Sequence, residues 1–332
     1  MKTILLLSHS KDFYNIDRVA AALAQQGVPH FRLNTDRFPE SIYISHQLDA
    51  SGTKTVVQTE DGRFNTQDIG AVWPRKIWSP IIQAPMEEKY RVASIREAVA
   101  VRKALFQMLA EVPWIDPLPA MTRASDKFLQ LRCAQQAGLR LPQTLISNDA
   151  DAVRVFYDGL GGEMVCKLHT ALTGGMQASA FSFYTTKIAP EDMEAMDMLS
   201  VCPMIFQEFI PKRYELRIAY IDGQCFTGKI EAAAEVTDWR IPEAAVSPWK
   251  AYELPEAVVQ QLQAFMQNIG LSFGAIDMIR HADGSYVFLE VNPSGEWGML
   301  EKELDYPIAQ AIADGLIKRM ETPSPSTLKH LL

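Results

Sequence analysis

Two carboxylates and one amide near the C-terminal end are spaced to hold a metal ion. Asp277 sits in Phe273-Gly-Ala-Ile-Asp-Met278, and Glu290 and Asn292 sit in Phe288-Leu-Glu-Val-Asn292. Ala282-Asp283-Gly284 lies between the two segments and reads as a tight turn, so they are expected to pair as an antiparallel hairpin. That pairing makes Asp277 and Glu290 near cross-strand neighbours, while Glu290 and Asn292, two apart, share a face. Three oxygen-bearing side chains then converge, a donor set that suits magnesium when nucleotide phosphates complete the shell. The competing reading is a solvent-facing polar strip. It is weakened by Ile276, Met278, Leu289 and Val291, which are apolar and flank the carboxylates.

Other candidates precede this hairpin. Lys167 lies in the apolar Met164-Val-Cys-Lys-Leu168. A lysine there must set its ammonium against a partner, either a phosphate or an internal carboxylate. Gly174 and Gly175 follow in Thr170-Ala-Leu-Thr-Gly-Gly-Met176, a loop able to bring amides to phosphates; it is neither a Walker loop nor a GxGxxG turn. Lys127 falls in the first turn of a helix, where a solvated lysine is the ordinary case. In Phe206-Gln-Glu-Phe-Ile-Pro-Lys-Arg-Tyr-Glu-Leu-Arg217 a strand ends at Glu208 and Glu215 follows. This suits a base edge and ribose hydroxyls, or merely an acidic hairpin.

The elements that must position these residues follow from hydrophobic period and turn signals. Residues 3–8 read as a buried strand, and Asn15 as the cap of a helix with Ile16, Val19, Ala20 and Leu23 on one face, ending at Gly27. Residues 29–34 resume as a strand, a β-α-β opening that implies a small parallel sheet. Strands are expected at 42–48, 54–58 and 71–78, the last confined to an edge or bulge by Pro74, then a helix over 87–110. The proline-dense 113–119 marks a boundary. Beyond it the pattern predicts a Ser125-capped helix to Gly138, a strand at 142–146, an Asn148-capped helix and strands at 164–168, 179–185, 203–209, 214–220 and 224–231, with Asp222-Gly223 as a hairpin turn. A helix over 255–269, strands at 272–280 and 285–291 and a last helix over 303–320 complete the series. The tail from Glu321 is expected to fray.

Composition narrows the class. The 332 residues are 48% hydrophobic and 22% charged with net charge −8: globular, about two packing units long, and too acidic for broad binding to a nucleic-acid backbone. Four scattered cysteines form no zinc spacing and read as thiols in a reducing cytosol. The N-terminal apolar run is too short for a signal peptide, and no run of 18 apolar residues offers a membrane span. The expectation is a soluble, cytoplasmic protein with no nucleic-acid or membrane partner.

Taken in order, these motifs resemble the ATP-grasp superfamily: Lys127, then Lys167 with Gly174 and Gly175, then Gln207-Glu208-Phe209-Ile210, then Glu215, then Asp277 and Glu290-x-Asn292. The resemblance covers roughly residues 114–320. It implies an α/β (α+β ATP-grasp) fold with nucleotide between a central and a C-terminal subdomain. Gln207–Ile210 would be the adenine hinge, Glu215 would take the ribose, and Lys127 and Lys167 would hold phosphates. Asp277, Glu290 and Asn292 would bind two magnesium ions. Further segments, Arg32-Leu-Asn-Thr-Asp-Arg-Phe-Pro39, Val72-Trp-Pro-Arg75, Tyr214-Glu-Leu-Arg217, Thr237-Asp-Trp-Arg240 and Tyr252-Glu-Leu-Pro255, resemble graspetide synthetases, the microviridin-type peptide macrocyclases. The opening Leu5–Val19 looks closer to their lactam-forming branch. One position departs: some ATP-grasp ligases carry an arginine two residues before the first metal aspartate, here Ala275. Arg217 and Arg240 are therefore the candidates to steady the acyl phosphate.

The activity this resemblance implies is ATP-dependent macrocyclisation of a ribosomal precursor peptide. Asp or Glu side chains would be activated as acyl phosphates and joined to Lys as amides or to Ser/Thr as esters. The implied division is a pre-ATP-grasp domain over 1–113, a central subdomain over 114–210, a C-terminal subdomain over 211–322 and a tail over 323–332; a homodimer is left open. Pro190-Glu-Asp-Met-Glu-Ala-Met-Asp197 reads as an acidic helix with Met193 and Met196 facing one way. It is the candidate dock for the precursor's leader through Glu191, Asp192, Glu194 and Asp197, whose charges no Lys or Arg of the helix can pair. Arg75 joins that peptide-binding set. The alternatives are a glutamate-adding ligase acting on a protein C-terminus, or a nucleotide-binding regulator without catalysis.

Overall fold

The computed structural model describes residues 2–50, 52–169, 185–231 and 247–322. The glycine loop with Gly174 and Gly175, all but the last residue of the strand expected at 179–185, Arg240 and the tail from 323 lie outside the described residues.

The chain opens with β1 (Thr3–Ser8), α1 (Asn15–Gln25) and β2 (His30–Asn34), continues through the antiparallel β3 (Tyr43–Asp49), β4 (Gly52–Thr59) and β5 (Gly62–Asn65), and reaches β6 (Ile69–Pro74) and α2 (Glu88–Met108). β1 pairs parallel with both β2 and β6, giving the order β2-β1-β6. Its Ile4 to Leu7 are wholly buried, as the central strand of a parallel sheet requires. β6 is an edge and stops at Pro74, which has no amide to continue a ladder; the strand expected to run to 78 therefore ends four residues earlier. Asn15 does not cap α1. Tyr14 stands at that position, and the Asn15 side chain is used elsewhere.

Next come α3 (Leu118–Ala124), α4 (Lys127–Gln136), β7 (Thr144–Ser147), α5 (Ala150–Gly159), β8 (Met164–Lys167), β9 (Thr186–Lys187), a 3₁₀ segment (Pro190–Val201) and β10 (Met204–Glu208). The strands form a sheet in the order β7-β10-β8-β9. The caps sit one residue later than expected. Asp126 accepts from the Leu129 amide and Asp149 from those of Asp151 and Ala152, because a carboxylate at the N-cap also meets the helix dipole.

The remainder is β11 (Lys212–Ile221), β12 (Gln224–Ile230), β13 (Lys250–Ala251), α6 (Glu256–Ile269), β14 (Phe273–His281), β15 (Tyr286–Asn292), α7 (Gly298–Leu304) and α8 (Ile308–Glu321). The sheet order is β13-β12-β11-β14-β15, antiparallel throughout. Asp222 and Gly223 both have positive φ, 45° and 95°, the requirement of a two-residue hairpin turn. The single last helix expected over 303–320 is two, broken at Asp305-Tyr306-Pro307.

Each face of this sheet buries a core. Leu216, Ile218, Tyr220, Ile276 and Met278 pack against α4 and α6 through Ala134, Leu262, Phe265 and Met266. On the other face Ala219, Ile221 and Phe273 join one cluster with Ile4, Leu6, Ile16 and Leu23 of the opening unit and Ile312 and Leu316 of α8. The two ends of the chain thus share a core, and the boundary at 113–119 separates segments rather than independent packing units. The sheet of β7–β10 keeps a smaller core of its own, with Val153, Met164, Cys166, Met196, Leu199 and Phe206. Among the described residues no helix is long and apolar enough to cross a membrane.

Candidate active site

The hairpin of β14 and β15 sets Asp277 directly across from Glu290, with a bulge beside the pair between Asp277 and Met278. Bulges re-aim neighbouring side chains. On the other side of β14, Arg217 of β11 stands in register with Asp277. Its Nη1 donates to both carboxylate oxygens, at 2.8 and 2.9 Å. Lys127 reaches Glu290 from the first turn of α4, Nζ to Oε2 2.8 Å. Arginine, aspartate, glutamate and lysine therefore form one row, two adjacent carboxylates with a cation at each end. Asn292 ends β15, and its Oδ1 accepts from the Ser294 amide at 3.0 Å.

The aim of Lys127 has a structural cause. β15 is a sheet edge, with main-chain groups that no further strand pairs. Gln130, one turn after Lys127 and 1% exposed, takes that role. Its Oε1 accepts from the Val291 amide at 3.0 Å, and its Nε2 donates to the Val291 carbonyl at 2.9 Å. This fastens α4 to β15 one residue from Glu290. Sequence reasoning missed Gln130; the available signal was an amide side chain inside an otherwise packed helix.

A second missed residue is Glu296. Its carboxylate receives Arg75 Nη2 at 2.6 Å, Asn15 Nδ2 at 2.8 Å and the Lys76 ammonium. Burial pushes this carboxyl up, but the charges of Arg75 and Lys76 and their bonds outweigh it and hold the group below its ordinary range. The Glu296 carbonyl accepts from Arg217, Nε at 3.2 Å and Nη2 at 2.9 Å. Arg75 itself is 1% exposed; its Nη1 donates to the Ser294 carbonyl, and its Nε is buried without a hydrogen-bond partner among the described residues. Arg75 is expected in the peptide-binding set; in this structure both of its terminal nitrogens are taken by the enzyme's own acceptors. The unusual Ala275 is also explained. A Cβ placed on Gly295 would lie 2.3 Å from the Ala275 methyl and 2.9 Å from Arg217 Nη2, so the turn after β15 covers position 275, and Arg217 of the adjacent strand is the arginine that stands beside Asp277.

The other expected residues lie on the central sheet and its exit. Lys167 ends β8, and Gln207 on β10 is buried and donates to Thr144 Oγ1 at 2.9 Å. The amides of Glu208 and Phe209 donate to the Gln143 and Glu163 carbonyls, both at 2.9 Å, so these two amides already serve the fold. Ile210 packs with Ile279 and Val287, beside Leu289, an apolar bed next to the carboxylate row. Glu215 shares the Arg217 face of β11 and pairs with Lys212 at 2.5 Å.

In the acidic segment Met193 and Met196 do face one way, into the core: Met196 is buried and Met193 packs against the same cluster, so both methionines serve the fold; the exposed apolar side chains are Met198 and Val201. Asp197 pairs with Arg154 of α5 at 2.8 Å, and Asp192 accepts from the Ala189 amide at 2.8 Å. The partner absent from the helix comes from a neighbouring element, which leaves Glu191 and Glu194 as the carboxylates to offer.

Two carboxylates and an amide give oxygen donors only, which fits a hard cation such as magnesium. Among the described residues no cluster of three His, Cys, Asp or Glu suggests a different metal site.

Residues 3–122 match the MvdD pre-ATP grasp domain. The macrocyclase MdnB from Microcystis aeruginosa MRC is 40% identical, with 96% of this chain and 99% of that one covered and a TM-score of 0.82. MdnC from the same organism, solved bound with precursor peptide MdnA, is 33% identical over 95% and 99% of the two chains, TM-score 0.82. A Chryseobacterium gregarium RiPP-associated ATP-grasp ligase, in complex with ADP and a leader and core peptide, is 26% identical over 98% of each chain, TM-score 0.87. The chain belongs to the graspetide synthetases, the ATP-grasp ligases that act as peptide macrocyclases.

Proposed function

We propose that this chain closes rings in a ribosomally made precursor peptide, using ATP and Mg²⁺. The carrying observation is the row Arg217, Asp277, Glu290 and Lys127, in which each metal-type carboxylate already faces a cation. Two unit charges about 3 Å apart interact strongly in a partly dry site, so the row is a poised set of partners. Asp277, Glu290 and Asn292 would hold magnesium, two ions being expected, and the ions would neutralise charge spreading over the transferred phosphoryl group. Lys127 would turn from Glu290 toward phosphate, and Lys167 with Gly174 and Gly175 would hold the remaining phosphates. Gln207 to Ile210 would border the adenine, with the Ile210 amide the one to test and Glu215 at the ribose.

A peptide carboxylate attacks the γ-phosphorus, and ADP leaves. A lysine amine, or a serine or threonine hydroxyl, then attacks the acyl carbon, forming the amide or ester bond as the C–O bond to phosphate breaks; phosphate leaves and the nucleophile gives up a proton. Arg217 and Arg240 would steady the oxyanion of that second step. Amide formation is the first product to seek, on the likeness of Leu5–Val19 to the lactam-forming branch. The resemblance's division at 113, 210 and 322 is kept: a pre-ATP-grasp domain, a central subdomain with the glycine loop and the leader dock, and a C-terminal subdomain with the metal site. Forty per cent identity to a macrocyclase along nearly the whole chain favours this reading over a glutamate-adding ligase. The test is incubation of a candidate precursor with ATP and Mg²⁺, followed by mass spectrometry. Loss of one water per ring is expected; phosphate release that adds glutamate to a protein C-terminus, with no loss of water from any precursor, would overturn it.

A further inference from the structure

The segment after β15 is held from both sides. On its inner side Gly295 has no room for a Cβ, since Ala275 and Arg217 stand within 3 Å of where it would be. Trp297 is wholly buried. Gly298 lies against Asn15 and Tyr14, with Asn15 Oδ1 2.2 Å from an added Cβ. Between these contacts Glu296 points its side chain into the opening unit and its carbonyl toward Arg217. The three groups on its carboxylate come from two places in that unit: Asn15 from the first residue of α1, and Arg75 and Lys76 from the residues just after β6. The carbonyl receives two donors from Arg217, whose remaining nitrogen holds both oxygens of Asp277.

A continuous chain of bonds therefore runs from the opening sheet to one carboxylate of the site. A guanidinium pinned at Nε and Nη2 has no freedom left to rotate, so the direction of its Nη1 is set by where the Glu296 carbonyl lies. That carbonyl is placed by a side chain that is itself pinned three ways.

We propose that Glu296 is a positioning residue for Asp277: the opening unit, which supplies no ligand, fixes the metal carboxylate through Glu296 and Arg217. This rests on the reading of Asp277 as a magnesium ligand. Freed of its clamp, the segment lets Arg217 swing fully onto Asp277, competing with the ion, or away from it, leaving the carboxylate unaimed. In both cases the site binds magnesium less well while the nucleotide pocket is untouched.

The experiment uses the full chain with Glu296→Gln, which keeps an acceptor for Asn15, Glu296→Ala, which keeps none, and Asp277→Asn as the reference. Magnesium is titrated calorimetrically into each protein saturated with ADP, and thermal unfolding is followed without metal. Glu296→Ala should weaken magnesium binding about tenfold and Glu296→Gln by less, with ADP affinity unchanged. A purely structural role would lower the melting temperature and leave the magnesium isotherm unmoved. If Asp277→Asn weakens magnesium binding and neither Glu296 variant does, this proposal is overturned and the metal reading stands. If Asp277→Asn also binds magnesium as wild type does, the metal reading fails and this inference with it. Should Glu296→Ala not fold, the Glu296→Gln isotherm alone decides by the same criterion.

Discussion

Arg217, Asp277 and Glu290 occupy three adjacent strands of one sheet, and Lys127 is fastened to that sheet by Gln130. Lys167, by contrast, ends a four-residue strand, and the acidic segment beside it packs on a small separate core. The first wall is joined to the opening unit by shared apolar packing in which each fully buried Leu or Ile contributes roughly 1.5–3 kcal/mol. The second has fewer such contacts, and its charged groups pair with neighbours at exposed sites such as Asp197 with Arg154. A rigid wall suits chemistry that tolerates little misplacement. A more loosely packed one suits a surface that admits and releases nucleotide and peptide, since elements that open locally are drawn from the least stable parts of a fold.

That contrast is broken most severely at the carboxylates. Asp277→Asn or Glu290→Gln should remove detectable ring formation, while leader binding measured by calorimetry stays near wild type; full cyclisation by either variant at matched ATP and Mg²⁺ would sink the metal assignment. Next is Arg217→Ala, expected to slow single-turnover cyclisation about 100-fold or more, by analogy with loss of one oxyanion donor. An unchanged rate with a raised ATP requirement would instead place Arg217 in nucleotide binding.

Gln130→Ala tests the fastening of α4. It strips partners from a buried amide and a buried carbonyl, each loss costing about 1–3 kcal/mol, so denaturant unfolding should show a stability loss of about 2 kcal/mol or more. Cyclisation should fall too, because Lys127 loses its aim. A stable variant with full activity would show that β15 needs no partner at its edge.

The smallest effect belongs to the second wall. Glu191→Ala combined with Glu194→Ala should weaken leader binding severalfold and flatten its salt dependence, since exposed charges are screened within about 10 Å at 0.1 M salt. Asp192→Ala and Asp197→Ala should do less, their carboxylates being engaged by Ala189 and Arg154. Equal affinity and equal salt dependence in both proteins would make the segment an ordinary solvated face.

Strand and helix periods, the two Asp-Gly turns and the Asp277–Glu290 hairpin were legible in the sequence because each depends on residues close in the chain. A two-residue alternation decides a face, and a tight turn decides which residues meet. Cap positions slipped by a residue wherever two capping residues stood side by side, as at Ser125-Asp126 and Asn148-Asp149, since local preference barely separates them. The broken last helix was missed because Pro307 is tolerated at a helix start as readily as it ends one. What only the tertiary structure decided is which partners the charges take. Glu296 and Arg75 are 221 positions apart and Gln130 and Val291 161; no period or motif links them. The same holds for the methionines at 193 and 196 and for Arg75. A side chain's chemistry is written in the sequence, but whether it faces water, a core or a buried acceptor depends on the elements that close over it, and those arrive from distant parts of the chain.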